Sequence, residues 1–461
     1  MKFLERFLPG VPDFENRIKA IFLSVIYFII IGVYGVLRPL KVTIFLSMVG
    51  REYQPLSKVV MIFLAVPFIL LYSFIVDRFK KHQIIYIFCV IFSILGILFS
   101  FLLRSPLHGL ANTTTSPYRF VGWAFLIFMD LYATFIMGSF WAFANSINTP
   151  KIAKASYGFI TGAAKPAGVL TASMGLFFLS KKLVDCSVIA TMIFVASVSL
   201  FLVVLLVLFM RKVVPHSFLK SYEELMYEQQ GVQHQKKAKS GIWQGLFVLL
   251  KNPYVFGVFI LFYSFELVSI IFEYQLEVGV SIAKHNSIIE MSVFMFLYMI
   301  LAQGMSFLFA WFVTPSILRR FKIKYSLLIM PVSVVGFILL FSVQPQLYAL
   351  LVIMVLFRSL NNGINAPIRE NLYIPTARNV RFKSKSWIDS FGRMSARASG
   401  GIVNMASRIP IAMSPGIAFG SVITVAVAFV WSAVAFFVGK KYADVVKKGE
   451  VIGSEESTET T

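Results

Sequence analysis

"ANSINTPK" (Ala144–Lys151) and "NNGINAPI" (Asn361–Ile368) each close a long apolar stretch, and Asn145–Pro150 agrees with Asn362–Pro367 at four of six positions. A polar hexapeptide that occurs twice in a chain of 58% hydrophobic residues calls for a cause. Charged residues make up 14% of the chain, aromatics 16%, and the mean hydropathy is +0.79; soluble domains carry roughly 25% charged residues. The apolar residues fall in blocks of about twenty, the length of a bilayer-crossing helix. Backbone polar groups inside lipid must bond within the segment, and the blocks lack the alternation of a barrel strand. The composition therefore predicts an all-α polytopic membrane protein.

Twelve spans are predicted, near 18–37, 59–76, 83–103, 120–143, 156–179, 187–210, 254–275, 291–313, 325–343, 347–366, 386–409 and 415–438. With both termini on one side, that side's segments hold about 29 Lys and Arg and the opposite loops about 10, which predicts cytoplasmic termini. The longer polar stretch containing "QHQKKAKSG" divides two six-span halves. The expected organisation is a bundle over 1–210, a linker over 211–253, a second bundle over 254–440 and a polar tail over 441–461. Each hexapeptide then ends the fourth span of its half. A second echo, "VDRFKKHQIIYIF" from Val76 and "LRRFKIKYSLLIM" from Leu318, lies between the second and third spans of each half. Parallel six-helix repeats are the build of the major facilitator fold. "SFIVDRFKK" (Ser73–Lys81) resembles that superfamily's loop signature, with Ser73 in place of its leading glycine. Two pseudo-symmetric bundles of six helices, major facilitator-like, are the expectation.

Several classes of activity find no support. The five histidines fall in predicted loops, which speaks against an intramembrane proton relay, metal site or haem. Cys89 and Cys186 form no CxxC, and there is no GxxxxGK[ST], GxGxxG after a strand or HExxH. No enzyme, cofactor or nucleic-acid partner is expected. The N-terminus reads as a first span without a signal or transit peptide, which points to the cytoplasmic membrane of a bacterium.

Ionisable residues inside spans are costly and default to functional hypotheses. Asp130 lies in the fourth span, Lys165 in the fifth beside Pro166, Glu266 and Glu273 in the seventh, and Arg358 in the tenth. In the eleventh, Asp389, Arg393, Arg397, Asn404 and Arg408 recur at spacings of four and seven and draw one polar stripe. Gly400 and Gly401 interrupt it where backbone could approach a ligand. Lys383 and Lys385 stand at its mouth, while Arg38 and Lys41 close the first span and Lys58 opens the second. Plainer roles exist for some of these: Asp130 as a partner that holds the bundle, Glu273 as a solvated mouth residue, Arg38 and Lys383 as snorkelling anchors. Cations outnumber acids in both halves, so the expected ligand is a multiply charged anion, and arginine suits phosphate because its planar fork donates two parallel bonds.

"LRPLKVTIFL" followed by "QPLSKVV", then "MDLYATFIMGSFWAFANSI" and "LYIPTARNVRFKSKSWIDSFGRMSARASGG", resemble the nucleotide transporter family, the ATP/ADP translocases of plastids and obligate intracellular bacteria. The resemblance implies nucleotide exchange and carries its charged positions onto Arg38, Lys41, Lys58, Asp130 (for a family Glu), Lys383, Lys385, Asp389 and Arg397 (for a family Lys). The chain departs from the family at Val42, which stands where an Asp is usual, and at Ser269, which follows "ELV" where a Glu is usual; Glu266 or Glu273 is the substitute. The expected protein is a monomeric secondary antiporter in membrane lipid. It would bind a nucleotide or other phosphorylated anion through Arg38, Lys41, Lys58, Lys165, Lys383, Lys385, Arg393, Arg397 and Asn404, with Asp130, Glu266, Glu273 and Asp389 as coupling or counter-charges. Two alternatives stand beside it: proton-coupled transport of another organic anion, and a receptor or scaffold that transports nothing.

Overall fold

The computed structural model describes residues 11–452 apart from 12, 182–184, 220–246, 248, 314–316, 318–319, 374, 377–384, 386, 408–416 and 449–451. Lys383, Arg408 and most of the expected linker and tail lie outside the described residues. Among the described residues, twelve helices lie in the expected places: α1 (Phe14–Met48), α2 (Gln54–Arg78), α3 (Lys81–Arg104), α4 (Phe120–Ser146), α5 (Pro150–Leu179), α6 (Ser187–Val213), α7 (Pro253–Ala283), α8 (Ile288–Leu308), α9 (Ile323–Val343), α10 (Leu347–Asn371), α11 (Arg393–Ala406) and α12 (Ile417–Lys448). Ten of them are long and apolar enough to cross a membrane. The exceptions among the described residues are α2 and the polar α11, which is preceded by a π-helical turn at Ile388–Gly392. No strand is present among the described residues; Thr376 and Ile452 form one isolated bridge.

The chain divides into two compact units: Met1–Arg51, Ala65–Lys237 and Lys284–Ile300 in the first, and Glu52–Leu64, Ala238–Ala283 and Leu301–Thr461 in the second. The division cuts through α2 and α8. In the first unit, α1 packs on α5, α6 and α4, and α3 packs on α6 and α4. Small residues let α3 and α6 approach closely: a Cβ on Gly96 would collide with Ser197 Oγ. The same seam carries hydrogen bonds from Ser93 Oγ to the Ser197 carbonyl (2.7 Å) and from Ser100 Oγ to the Ala190 carbonyl (2.8 Å). Elsewhere Ser24, Ser156 and Thr171 return their hydroxyls to the carbonyl four residues back, so polar residues sit in apolar helices without orphaned donors. In the second unit α7 is apolar nearly all round and packs on α10, α11 and α12, with Phe265 stacked on Phe357 at 5.4 Å.

The two hexapeptides take different conformations, and one residue accounts for much of the difference. In the first copy α4 stops at Ser146, and Thr149 is an extended N-cap whose hydroxyl accepts from Ile152 N, with Pro150 opening α5. Asn148 Nδ2 donates to the freed Ala144 carbonyl (2.9 Å), and the buried Lys19 Nζ donates to the Ile147 carbonyl (2.8 Å). The second copy has Ala366 where the first has Thr149, and alanine cannot cap. There the chain continues through a π turn, Asn361–Asn365, into Ala366–Asn371. Pro367 has no N–H for the Gly363 carbonyl, and a π turn accommodates that missing donor. Asn365 Nδ2 donates to Asn361 Oδ1 (3.0 Å) across the turn. The expectation that each copy ends its span therefore holds for the first copy only.

The second echo repeats more faithfully. Lys80 and Lys322 are both extended N-caps, at φ −66°, ψ 148° and φ −63°, ψ 146°. Phe79 N bonds to the Ile75 carbonyl (3.0 Å) and Phe321 N to the Ile317 carbonyl (2.9 Å).

Candidate functional site

Phe262, Glu266, Glu273 and Glu277 recur along α7 at spacings of four and seven, which places them on one face. Each acid meets a partner from another helix of the second unit. Glu273 pairs with Arg358 of α10. The buried Glu277 accepts from Gln54 Nε2 at the start of α2. Glu266 faces two arginines of α11: its Oε1 lies 3.6 Å from Arg393 Nε, and its Oε2 lies 3.7 Å from Arg397 Nε.

Those two distances exceed a hydrogen bond, so Glu266 holds the arginines by charge without saturating their N–H forks. The Glu266 side chain is 12% exposed, against 48% for Arg393 and 46% for Arg397. The acid is thus enclosed while both guanidiniums remain open to an outside acceptor. Two contacts set the register of α11 on α7: Tyr263 Oη to Ser399 Oγ (2.6 Å) and Asn404 Nδ2 to the Ile270 carbonyl (3.3 Å). Asn404 is buried and engaged with backbone in this structure. Aromatic rings flank the cluster: Arg393 stands 5.6 Å from the Phe262 ring, and Arg369, from the last turn of α10, stands 4.8 Å from Phe262 and 5.4 Å from Phe265.

Gly400 and Gly401 do not open backbone to a ligand, contrary to expectation; both serve helix packing. A Cβ on Gly400 would lie 2.8 Å from Ile270 Cγ2. A Cβ on Gly401 would lie 2.9 Å from the Pro55 carbonyl oxygen and 3.2 Å from Lys58 Cβ. The stem of Lys58 is thereby placed one turn from Arg397. Because the Pro55 oxygen is backbone and cannot rotate aside, Gly401→Ala is expected to cost about 1–3 kcal/mol of stability. Denaturant or SDS titration of the purified protein would read it as a lower midpoint, and an unchanged midpoint would contradict this packing.

The remaining expected residues are spread over both units. In the first, Lys41 Nζ donates to Asp130 Oδ1 at 2.8 Å, joining α1 to α4. Arg38 lies 5.7 Å from the Tyr34 ring. Lys165 is exposed on α5 and makes no ion pair among the described residues. In the second unit Lys385 bonds to Glu370 at 2.6 Å, and Asp389 is half-buried in the π turn before α11. Each half of the sequence therefore carries an ion pair between its first and fourth helices with reversed polarity: Lys41 of α1 with Asp130 of α4, and Glu273 of α7 with Arg358 of α10.

Sequence reading missed Arg369, Glu277 and Phe262. Arg369 was hidden because Pro367 suggested a helix end, whereas the π turn carries α10 onward and brings Arg369 against α7. Glu277 had a usable signal, four residues beyond Glu273 on the same face.

Comparison with known proteins agrees with this architecture. Solved structures share the fold at low identity. A nucleoside transporter, NupG, aligns at TM-score 0.55 and 14% identity over 93% of this chain and 99% of its own. The inward-open xylose transporter XylE from E. coli aligns at TM-score 0.59 and 12% identity over 95% and 99%. A D-xylose-proton symporter aligns at 0.57 and 14% over 94% and 100%. The fold is major facilitator-like. No curated protein matches the chain by sequence. The family model described as TLC ATP/ADP transporter matches residues 2–442, nearly the whole length. The chain is a multi-pass membrane transporter and belongs to the TLC ATP/ADP transporter family.

Proposed function

We propose that this transporter exchanges nucleotides of the ATP/ADP type across a bacterial cytoplasmic membrane, with both termini in the cytoplasm. The observation that carries the reading is the pair of half-exposed guanidiniums, Arg393 and Arg397, sharing one enclosed carboxylate at non-bonding distance. Such a pair has donors left for the oxygens of a phosphate chain, and charge-assisted bonds of this kind are the strong ones. Tyr263, half-buried beside the cluster, adds aromatic surface of the kind that takes a base. On this reading Lys58 extends the positive surface beside Gly401, and Lys41 keeps Asp130 as its internal counter-charge.

Exchange, rather than net flow, follows from charge. Guanidiniums that lose solvent without gaining an anion are destabilised, so the empty carrier faces a barrier that the loaded one does not. Purified protein in liposomes containing ADP is expected to take up labelled ATP at least about tenfold faster than in empty liposomes, since even ~1.4 kcal/mol of unpaired charge slows return tenfold. Equal rates in the two preparations would refute obligatory exchange. A second reading, proton-coupled transport of a phosphorylated anion, is favoured by the placement of Glu266, an enclosed carboxylate that loses both its arginines when an anion takes them.

A further inference from the structure

The choice between those two readings turns on where Glu266 goes when an anion takes its arginines. Arg369 offers a destination. Its guanidinium lies over Phe262, one turn from Glu266 on α7, and its Nη1 is buried with no hydrogen bond among the described residues. A buried N–H without an acceptor is destabilising, so this edge of the arginine favours any acceptor that reaches it. Glu370, its sequence neighbour, is engaged by Lys385 at 2.6 Å. Glu266, Tyr373 and Asp389 lie close enough to bear favourably on the Arg369 charge, and Arg393, on the same Phe262 ring, bears unfavourably on it.

We propose that Arg369 is the stand-by partner of Glu266. When a phosphorylated anion occupies Arg393 and Arg397, Glu266 turns to the open edge of Arg369 and stays ionised, so the anion binds without proton uptake. This rests on reading Arg393 and Arg397 as the anion site. The charged groups around Glu266 among the described residues are few. From α11 and its π turn come Arg393, Arg397 and Asp389, from the end of α10 come Arg369 and Glu370, and from α2 comes Lys58 beside Gly401. Arg358 of α10 is held two turns away by Glu273, and α12 carries no charge before Lys440. Without Arg369, a carboxylate displaced into this enclosed position would lose the buried cation beside Phe262, and an enclosed charge that loses its partner is costly unless it is neutralised.

Inorganic pyrophosphate binding tests the hand-over, with the wild type and Arg369→Gln compared from about pH 5.5 to about pH 7.5 so that the ligand's own ionisation cancels. Arg369→Gln is expected to lose affinity relative to wild type as pH rises, by up to about tenfold per pH unit, because one additional proton is bound with the anion. Arg369→Lys keeps a cation and should follow the wild type. Parallel slopes for wild type and Arg369→Gln would overturn the proposal. Infrared difference spectra of the wild type give an independent readout that needs no stable Arg369 variant. On pyrophosphate addition a carboxylate band should shift, the shift should vanish in Glu266→Gln, and no protonated-carboxyl band should appear. A protonated-carboxyl band that depends on Glu266, or no band that depends on it, would also overturn it. ATP and ADP are measured alongside. Pyrophosphate binding with the predicted slopes but no nucleotide binding removes the nucleotide reading and leaves the hand-over. Nucleotide exchange with parallel slopes removes the hand-over alone, and absence of pyrophosphate binding removes both.

Discussion

The double substitution Arg393→Gln/Arg397→Gln is expected to weaken ATP and ADP binding by about 10²- to 10⁴-fold, since a hydrogen bond to a charged group contributes about 1.5–3 kcal/mol and two guanidiniums are removed. Each single substitution should show a smaller loss, because the surviving arginine keeps its fork. Lysine is a poor replacement at either position, since a point charge on a flexible stem cannot donate two parallel bonds. The double variant leaves the enclosed Glu266 facing no α11 cation, which alone can destabilise the second unit. The triple variant with Glu266→Gln removes that complication and serves as the binding control. Calorimetry at fixed ionic strength distinguishes the outcomes, because salt screening would otherwise mimic a lost charge at these half-exposed groups. A folded triple variant that still binds nucleotide with near wild-type affinity would place the phosphates elsewhere.

Legibility in the sequence followed the physics of each feature. Lipid imposes a length and an apolar content on every span, so the twelve helices could be read from hydropathy, including the polar α11, whose stripe of Arg393 and Arg397 stood out because lipid does not tolerate it. That Asp130 needs a cation followed from the cost of isolated charge; that the cation is Lys41 is visible only in the structure. What stayed hidden depends on local backbone geometry or on contacts far apart in sequence. The π turn at Asn361–Asn365 changes which side chains α10 delivers to α7, and neither Ala366 nor Pro367 announces it alone. Gly400 and Gly401 are equally ambiguous, because a glycine that admits a ligand and one that admits a neighbouring helix look identical until Ile270 and Pro55 are placed against them.

Neutralising one member of the Lys41–Asp130 pair, by Lys41→Met or Asp130→Asn, is expected to destabilise the first unit by about 2–4 kcal/mol, toward the lower end of the range for breaking a buried ion pair. The lower end applies because the side chains are 16% and 22% exposed, so neither is fully withdrawn from solvent. The bond itself is not the main source of the effect. Asp130→Asn leaves the Lys41 charge on a helix face that lipid or packed side chains surround, and that charge without its Asp130 partner carries the penalty. The double variant Lys41→Met/Asp130→Asn strands nothing, and it should recover most of the lost stability. Unfolding midpoints of the four proteins in detergent form a double-mutant cycle, with strong positive coupling as the expected result. Midpoints that simply add would mean that α1 and α4 are held by packing and that Lys41 is available for other partners. The same cycle on Glu273→Gln and Arg358→Met examines the pair of reversed polarity between α7 and α10. Similar coupling in both cycles would mean that tying the first helix of each half to the fourth matters more than which helix carries the cation.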